Sequence, residues 1–181
     1  MIRIPDRHGL ENARRLRPVV IALGSNLGDR GETLRAAVAA LRETPGIEVT
    51  AVSPAVESVA VKLSGLDPAA PRYLNAVVLV DTLLSPHELL AELHRIEAGH
   101  GRVRAERWGD RTLDLDVIDF DGLESADPAL VLPHPRARDR AFVLAPWLAV
   151  DPEAFLPGVG RVDALLAELG DDTVRAEGVE L

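Results

Sequence analysis

Six segments in the order strand, helix, strand, strand, helix, strand constrain the fold of this chain more than any other feature of its sequence. Val19-Val20-Ile21-Ala22-Leu23 is a short continuous apolar run closed by Gly24, the pattern of a buried strand. Glu32 to Arg42 carries Leu34, Ala37, Val38 and Leu41 at helical spacing, and Pro45-Gly46 stops it. Ile47 to Val52 alternates as a strand, which Ala55 to Val59 continues beyond Pro54. Lys62 to Arg72 is rich in Gly, Asp and Pro and reads as a loop, and Tyr73 to Val80 is a strong strand. Ser85-Pro86-His87-Glu88 opens a helix with a serine cap, proline at the first position and an early acid. Its stripe is Leu89, Leu90, Leu93 and Ile96, and Gly99 ends it. After an Arg-rich loop over 100–112, Leu113 to Phe120 alternates as the last strand. This order predicts an α+β fold of the ferredoxin-like βαββαβ kind, an antiparallel sheet with helices packed on it. Further helices follow near Asp139 to Ala149 and Val162 to Leu169.

The chain has 181 residues, enough for one domain with a substantial core. Residues 1–17 are charged and aperiodic and read as a flexible extension, 18–170 as the domain, and 171–181 as a frayed tail. Aromatic residues are only 3% of the chain, so each is a candidate binding surface rather than bulk core. A net charge of −9 argues against general binding to nucleic acid or anionic membranes. With no cysteine, disulfides, thiolate catalysis and cysteine zinc sites are excluded. No apolar run approaches the ~20 residues of a membrane span, and no signal-peptide core opens the chain, so a soluble cytoplasmic protein is expected.

The chemistry concentrates in the last strand and the loop before it. Asp114 and Asp116 point to one face, with Cα atoms roughly 6.6 Å apart, while Leu113, Leu115 and Val117 point to the other. Paired carboxylates suit Mg²⁺, which is held by one or two carboxylates together with substrate phosphates. Arg102, Arg104, Arg107 and Arg111 against Glu106 and Asp110 make the adjoining loop locally cationic, and guanidinium groups grip phosphate. Taken alone, an Asp-x-Asp strand also fits a solvated sheet face, and arginine loops also form surface ion pairs of little worth. His134, held between Pro133 and Pro135 and followed by Arg136, Arg138 and Arg140, is either positioned for phosphate or packed in a rigid turn. Tyr73 and Asn75 share a strand face and offer a ring and an amide to a flat heterocycle, or simply belong to a half-buried strand. Phe142 and Trp108 are the other stacking candidates. His94 and Glu97 lie three apart on one helix face. Gly24-Ser25-Asn26-Leu27-Gly28 lacks the Lys of a P-loop and reads as turn formation and capping of the next helix.

Leu-Gly-Ser-Asn-Leu-Gly, Tyr-Leu-Asn-Ala, Gly-Arg-Val-Arg, Arg-Trp-Gly-Asp-Arg-Thr-Leu-Asp-Leu-Asp, Leu-Pro-His-Pro and Arg-Ala-Phe occur in that order. The series resembles the 6-hydroxymethyl-7,8-dihydropterin pyrophosphokinases of folate biosynthesis over about residues 18–170. The resemblance implies transfer of the diphosphate of ATP to a pterin alcohol, giving AMP, in a protein expected to be monomeric. It implies that Asp114 and Asp116 hold two Mg²⁺ ions. Nucleotide contacts would come from His94, Glu97, Arg102, Arg111, Ile118, His134 and Arg140, with Arg104 guiding catalysis from a mobile loop. Tyr73 and Phe142 would sandwich the pterin, Asn75 would bond its edge, and Trp108 would close over it. In the second-strand region this chain departs from the family pattern, and Ser58 and Val59 are the nearest equivalents of its pterin wall. The glycine-containing loops at 60–72 and 100–112 are expected to close over bound ATP.

Overall fold

The computed structural model describes residues 15–62, 65–67, 72–100 and 112–181. Its elements are β1 (Arg17–Ser25), α1 (Arg30–Glu43), β2 (Ile47–Val52), β3 (Val56–Ser58), β4 (Ala60–Lys62), β5 (Gly65–Asp67), β6 (Tyr73–Thr82), α2 (Pro86–Gly99), β7 (Asp114–Phe120), β8 (Ser125–Asp127), β9 (Leu130–Leu132), α3 (Ala141–Val150), β10 (Phe155–Leu156), β11 (Gly160–Arg161), α4 (Val162–Leu169) and β12 (Val174–Arg175). The result is a mixed α/β protein with an antiparallel sheet and, among the described residues, four α-helices.

The main sheet runs β12-β3-β6-β1-β7, with β2 also paired to β6. β2 and β3 are two halves of one edge: Ile47 to Val52 face Thr82 to Val78 of β6, and Val56 to Ser58 face Asn75 to Tyr73. The interruption falls at Ser53-Pro54-Ala55, because proline has no N–H for the ladder. Ser53 bridges the gap: its N–H donates to Val77 O and its Oγ accepts from Val77 N, both at 2.9 Å.

Strand alternation divides the core into two layers. Val19, Ile21 and Leu23 of β1 join Ala76, Val78 and Val80 of β6 against Leu34, Val38 and Leu41 of α1 and Leu89, Leu93 and Ile96 of α2. Val20, Val77 and Ile118 point to the opposite face, where Val143, Leu144 and Trp147 of α3 and Val162 of α4 cover them. α1 is capped by Asp29, whose carboxylate accepts from Glu32 N, so Ser25 and Asn26 are not its cap; both are buried in the sheet end instead. At α2 the expected start is present as a full capping box, Ser85 with Glu88, a feature that stabilises a helix by about 1 kcal/mol.

Short elements depart from the sequence reading. The stretch read as a loop over Lys62 to Arg72 contains β5, which forms a hairpin with β4, and the segment before Leu132 contains the β8–β9 hairpin. The end of the chain does not fray: β12 pairs with β3, Ala176 N donates to Ala55 O, and Ala176, Val179 and Leu181 pack on the first core layer. Elements of two or three residues have no period to read. The extension expected over 1–17 falls mostly outside the described residues, although Arg15 pairs with Asp121 at 2.6 Å and β1 already begins at Arg17.

β7 carries a bulge at Ile118: Val20 pairs with Asp119 but Ile21 pairs with Val117. Beside it, Asp119 Oδ2 accepts from Gly122 N, whereas Oδ1 is buried with no hydrogen-bond partner among the described residues. Burial raises the Asp119 carboxyl above its ordinary value, with the nearby Asp121 charge adding to this and the Gly122 and Phe120 amides opposing it. The folded state therefore holds this proton more tightly than the unfolded chain. The associated stability is full below the ordinary pKa near 3.8 and is lost as pH rises through the higher folded value. Asp119→Asn is expected to raise the melting temperature at pH 7 by roughly 2–4 °C, allowing for solvent screening of a carboxylate that is only partly buried. The gain should shrink towards zero near pH 4. Thermal unfolding at the two pH values checks this, and an equal or lower melting temperature at pH 7 contradicts it.

Candidate active site

β1, in the middle of the sheet, sets the geometry of the site because it pairs with β6 on one side and β7 on the other. Gly24 faces both Asn75 and Asp114, and Ala22 faces both Val77 and Asp116. At about 4.8 Å per strand, the Cα atoms of Asn75 and Asp114 lie roughly 10 Å apart with only a glycine between them. Above these rows is a cleft of about 570 Å³. One end is walled by Ser58, Val59, Tyr73, Asn75 and Phe142, and the other by Asp114, Asp116, His134 and Arg140. His94 and Leu90 of α2 and Ala129 to Val131 of the β8–β9 hairpin close a third side.

The polar groups are individually oriented. Asn75 is 5% exposed, and its Nδ2 donates to Ser58 Oγ at 2.9 Å, which points Oδ1 away from Ser58 within the amide plane. Asp116 Oδ2 accepts from Arg140 Nη1 at 3.3 Å and lies 3.8 Å from His134 Nε2. The Arg140 guanidinium is also 5.5 Å from the centroid of the Phe142 ring, so one arginine links the carboxylate end to the aromatic wall. His134 Nδ1 accepts from the Arg136 backbone N–H at 3.2 Å, which assigns the ring hydrogen to Nε2, on the side of Asp116. Burial lowers the His134 pKa; Asp116 pulls the other way, and Arg140 and Arg136 reinforce the lowering. The imidazole is therefore a neutral donor at pH 7.

Ten of the expected site residues come together in this cleft: Ser58, Val59, Tyr73, Asn75, His94, Asp114, Asp116, His134, Arg140 and Phe142. Glu97 and Ile118 do not line it. Glu97 is 1% exposed, and its Oε1 accepts from Leu115 N at 2.9 Å, fixing the strand between the two aspartates. Ile118 is buried in the second core layer, and its carbonyl accepts from His134 N at 2.8 Å. Arg102, Arg104, Trp108 and Arg111 lie outside the described residues. Ala22, Leu90, Ala129 to Val131, Pro135, Arg136, Asp139 and Val143 also border the cleft, without having been expected there from the sequence. Only for Ala22 was a signal present, as a small residue in phase with Gly24 on one strand face.

No group of three or more His, Asp or Glu that could hold a metal by itself occurs among the described residues. Among the carboxylates bordering the cleft, Asp114 and Asp116 share one strand face, with Asp139 on the segment before α3. Such a pair fits a hard divalent cation that completes its shell with substrate phosphate oxygens and water.

A sequence model of the 7,8-dihydro-6-hydroxymethylpterin-pyrophosphokinase family matches residues 20–152. The chain is 43% identical over 145 residues to the 2-amino-4-hydroxy-6-hydroxymethyldihydropteridine pyrophosphokinase of Methylorubrum extorquens, covering 80% of this chain and 89% of that one. It is 42% identical over 177 residues to the enzyme of the same name from Mycobacterium leprae, covering 90% and 87%. Among solved structures, Plasmodium falciparum HPPK-DHPS superposes with a TM-score of 0.67 at 12% identity, covering 94% of this chain and 46% of that longer one, a likeness of fold. With a cleft built from the residues that carry the family's motifs, and with identity of this level along most of its length, the chain belongs to the 7,8-dihydro-6-hydroxymethylpterin-pyrophosphokinase family.

Proposed function

We propose that this protein transfers the pyrophosphoryl group of ATP to the hydroxymethyl oxygen of 6-hydroxymethyl-7,8-dihydropterin, leaving AMP. The observation that carries this reading is the row Asn75, Gly24, Asp114. It sets an amide that reads a heterocycle edge and a carboxylate suited to a metal–phosphate complex on one floor, with a gap between them. Tyr73 and Phe142 flank the pterin ring, Asn75 Oδ1 accepts from its N–H edge, and Ser58 and Val59 complete the wall. Trp108 closes over it from the 101–111 segment.

Asp114 and Asp116 would hold Mg²⁺, two ions in this reading, which when bound neutralises triphosphate charge and orients it. Arg140 and the neutral His134 donate to phosphate oxygens from the far side, and Arg102 and Arg111 from the preceding loop, while Arg104 guides the reacting group. His94 contacts the nucleotide from α2. Glu97 and Ile118, assigned to the nucleotide side, act through the backbone of β7 and the His134 turn. The alcohol oxygen attacks the β-phosphorus in line and AMP leaves, so the work of the side chains is positioning and charge stabilisation. The strand order β7-β1-β6-β2/β3, with α1 and α2 on one face, supports a ferredoxin-like βαββαβ core spanning 18–170, with α3 and α4 added after it. The protein is assigned as a cytoplasmic monomer; no helix among the described residues is long and apolar enough to cross a membrane.

The test is incubation with ATP, Mg²⁺ and the pterin alcohol. AMP should form in a one-to-one ratio with pterin diphosphate, and omission of Mg²⁺ should abolish both. Formation of ADP, or no turnover by folded protein, overturns the reading. Metal-dependent ATP binding without turnover would point instead to a regulatory module.

A further inference from the structure

Among the described residues, Gly24 is the one position lining the cleft where the chain supplies no side chain, and its backbone does not require a glycine. Its φ lies outside the left-handed region, and it is paired on both sides within an antiparallel strand, a conformation open to any residue. A Cβ added to it would meet Asn75 Oδ1 at 3.4 Å and Tyr73 Cδ1 at 3.9 Å, both ordinary van der Waals contacts. The protein could therefore accept a methyl group at this point without moving. The neighbours named by that contact are the amide oxygen and the ring that face the proposed pterin. The cleft-side residues of β1 also diminish along the strand, from Val20 under the second core layer, through Ala22 beside Asp116, to Gly24 beside Asn75.

We infer that Gly24 is a specificity-determining residue: the missing side chain makes a shallow slot that admits a planar heterocycle against Asn75 Oδ1 and rejects thicker ligands. The inference rests on the proposed pterin reading and adds to it the residue that sets the depth of the slot. A methyl at Gly24 would stand where the ring's N–H edge must lie to reach Oδ1, and it would shield that oxygen from its donor. An acceptor left without its partner in a buried site costs binding that contacts elsewhere do not restore. Asp114 pairs with Gly24 from the opposite side, but none of its atoms lies within 4 Å of that Cβ, so ATP binding should be spared.

The series Gly24→Ala and Gly24→Val tests this on the full chain. First, wild-type protein is assayed for AMP formation and for direct binding of the pterin alcohol by fluorescence; failure here is failure of the proposed function, not of the slot. In the Ala variant the pterin KM and Kd should rise at least ten-fold, and in the Val variant at least a hundred-fold. The Mg·ATP Kd from calorimetry should stay within two-fold for Gly24→Ala, with a melting temperature equal to or above wild type, because glycine within a strand is conformationally costly. Unchanged pterin affinity in both variants overturns the inference. So does loss of cooperative unfolding or of ATP binding in Gly24→Ala, since the glycine would then serve packing. A rise graded with side-chain volume and confined to the pterin supports it, a pattern that general loss of structure would not produce.

Discussion

Asp116→Ala is expected to lower the rate of AMP formation by at least about three powers of ten, equivalent to roughly 4 kcal/mol of transition-state stabilisation. Asp116 is one of two carboxylates on the cleft face of β7, and it is also the group to which Arg140 donates and near which the His134 Nε2–H lies. Its removal takes away a proposed metal ligand and leaves the two donors without the carboxylate that holds them. Both effects act on the same charge, that of the triphosphate as the β-phosphorus is attacked. Asp116→Asn should fall almost as far, because the amide keeps the volume but not the charge; this separates electrostatics from packing. Asp116 is part-exposed, so the fold should persist with a circular dichroism spectrum like that of wild type. Steady-state AMP production at saturating Mg²⁺ is the measurement, and activity of Asp116→Ala within ten-fold of wild type would refute the metal assignment.

Asn75→Leu addresses the other end of the cleft and should reduce kcat/KM for the pterin alcohol by roughly two to three powers of ten. Leucine shares the branched outline of asparagine but can neither accept from the heterocycle edge nor donate to Ser58 Oγ, the bond that fixes the native amide. Two groups are then stranded, the ring N–H of the substrate and the hydroxyl of Ser58, which is only 4% exposed. The second of these should appear separately, as a loss of about 1–3 kcal/mol in unfolding free energy. Mg·ATP binding should be preserved, because Asp114 and Asp116 lie on the far side of β1. Equal pterin KM in mutant and wild type would show that Asn75 does not read the heterocycle.

These two variants divide the site as β1 divides it, and the division explains how much of it was legible beforehand. Asp114 and Asp116 could be paired on one face from strand alternation alone, as could Tyr73 and Asn75, because a period of two is a local property. α1 and α2 were legible through their apolar stripes, and α2 through its cap as well. The three-residue hairpins β4–β5 and β8–β9 were not, since such segments are held by their partners rather than by any pattern of their own. β12 is the extreme case: two residues in a polar tail that become a strand because β3 presents an open edge.

The same distinction applies within the site. Glu97 has the spacing of a residue on a ligand-facing helix turn, yet the packing of α2 on β7 buries its side chain and directs it to the backbone of Leu115. Ile118 is in phase with the aspartates on the same strand face, but there that face is covered by the second core layer, which buries its side chain away from the cleft. The sequence alone determined which residue types are available and which strand faces they share, because alternation and helical spacing act over a few residues. Tertiary structure decided that Gly24 would stand between Asn75 and Asp114, and that Arg140 would reach both Asp116 and Phe142. The first of these depends on the register of strands whose paired residues lie 51 and 90 positions from Gly24 in the chain, which is set by how two core layers pack on opposite faces of one sheet.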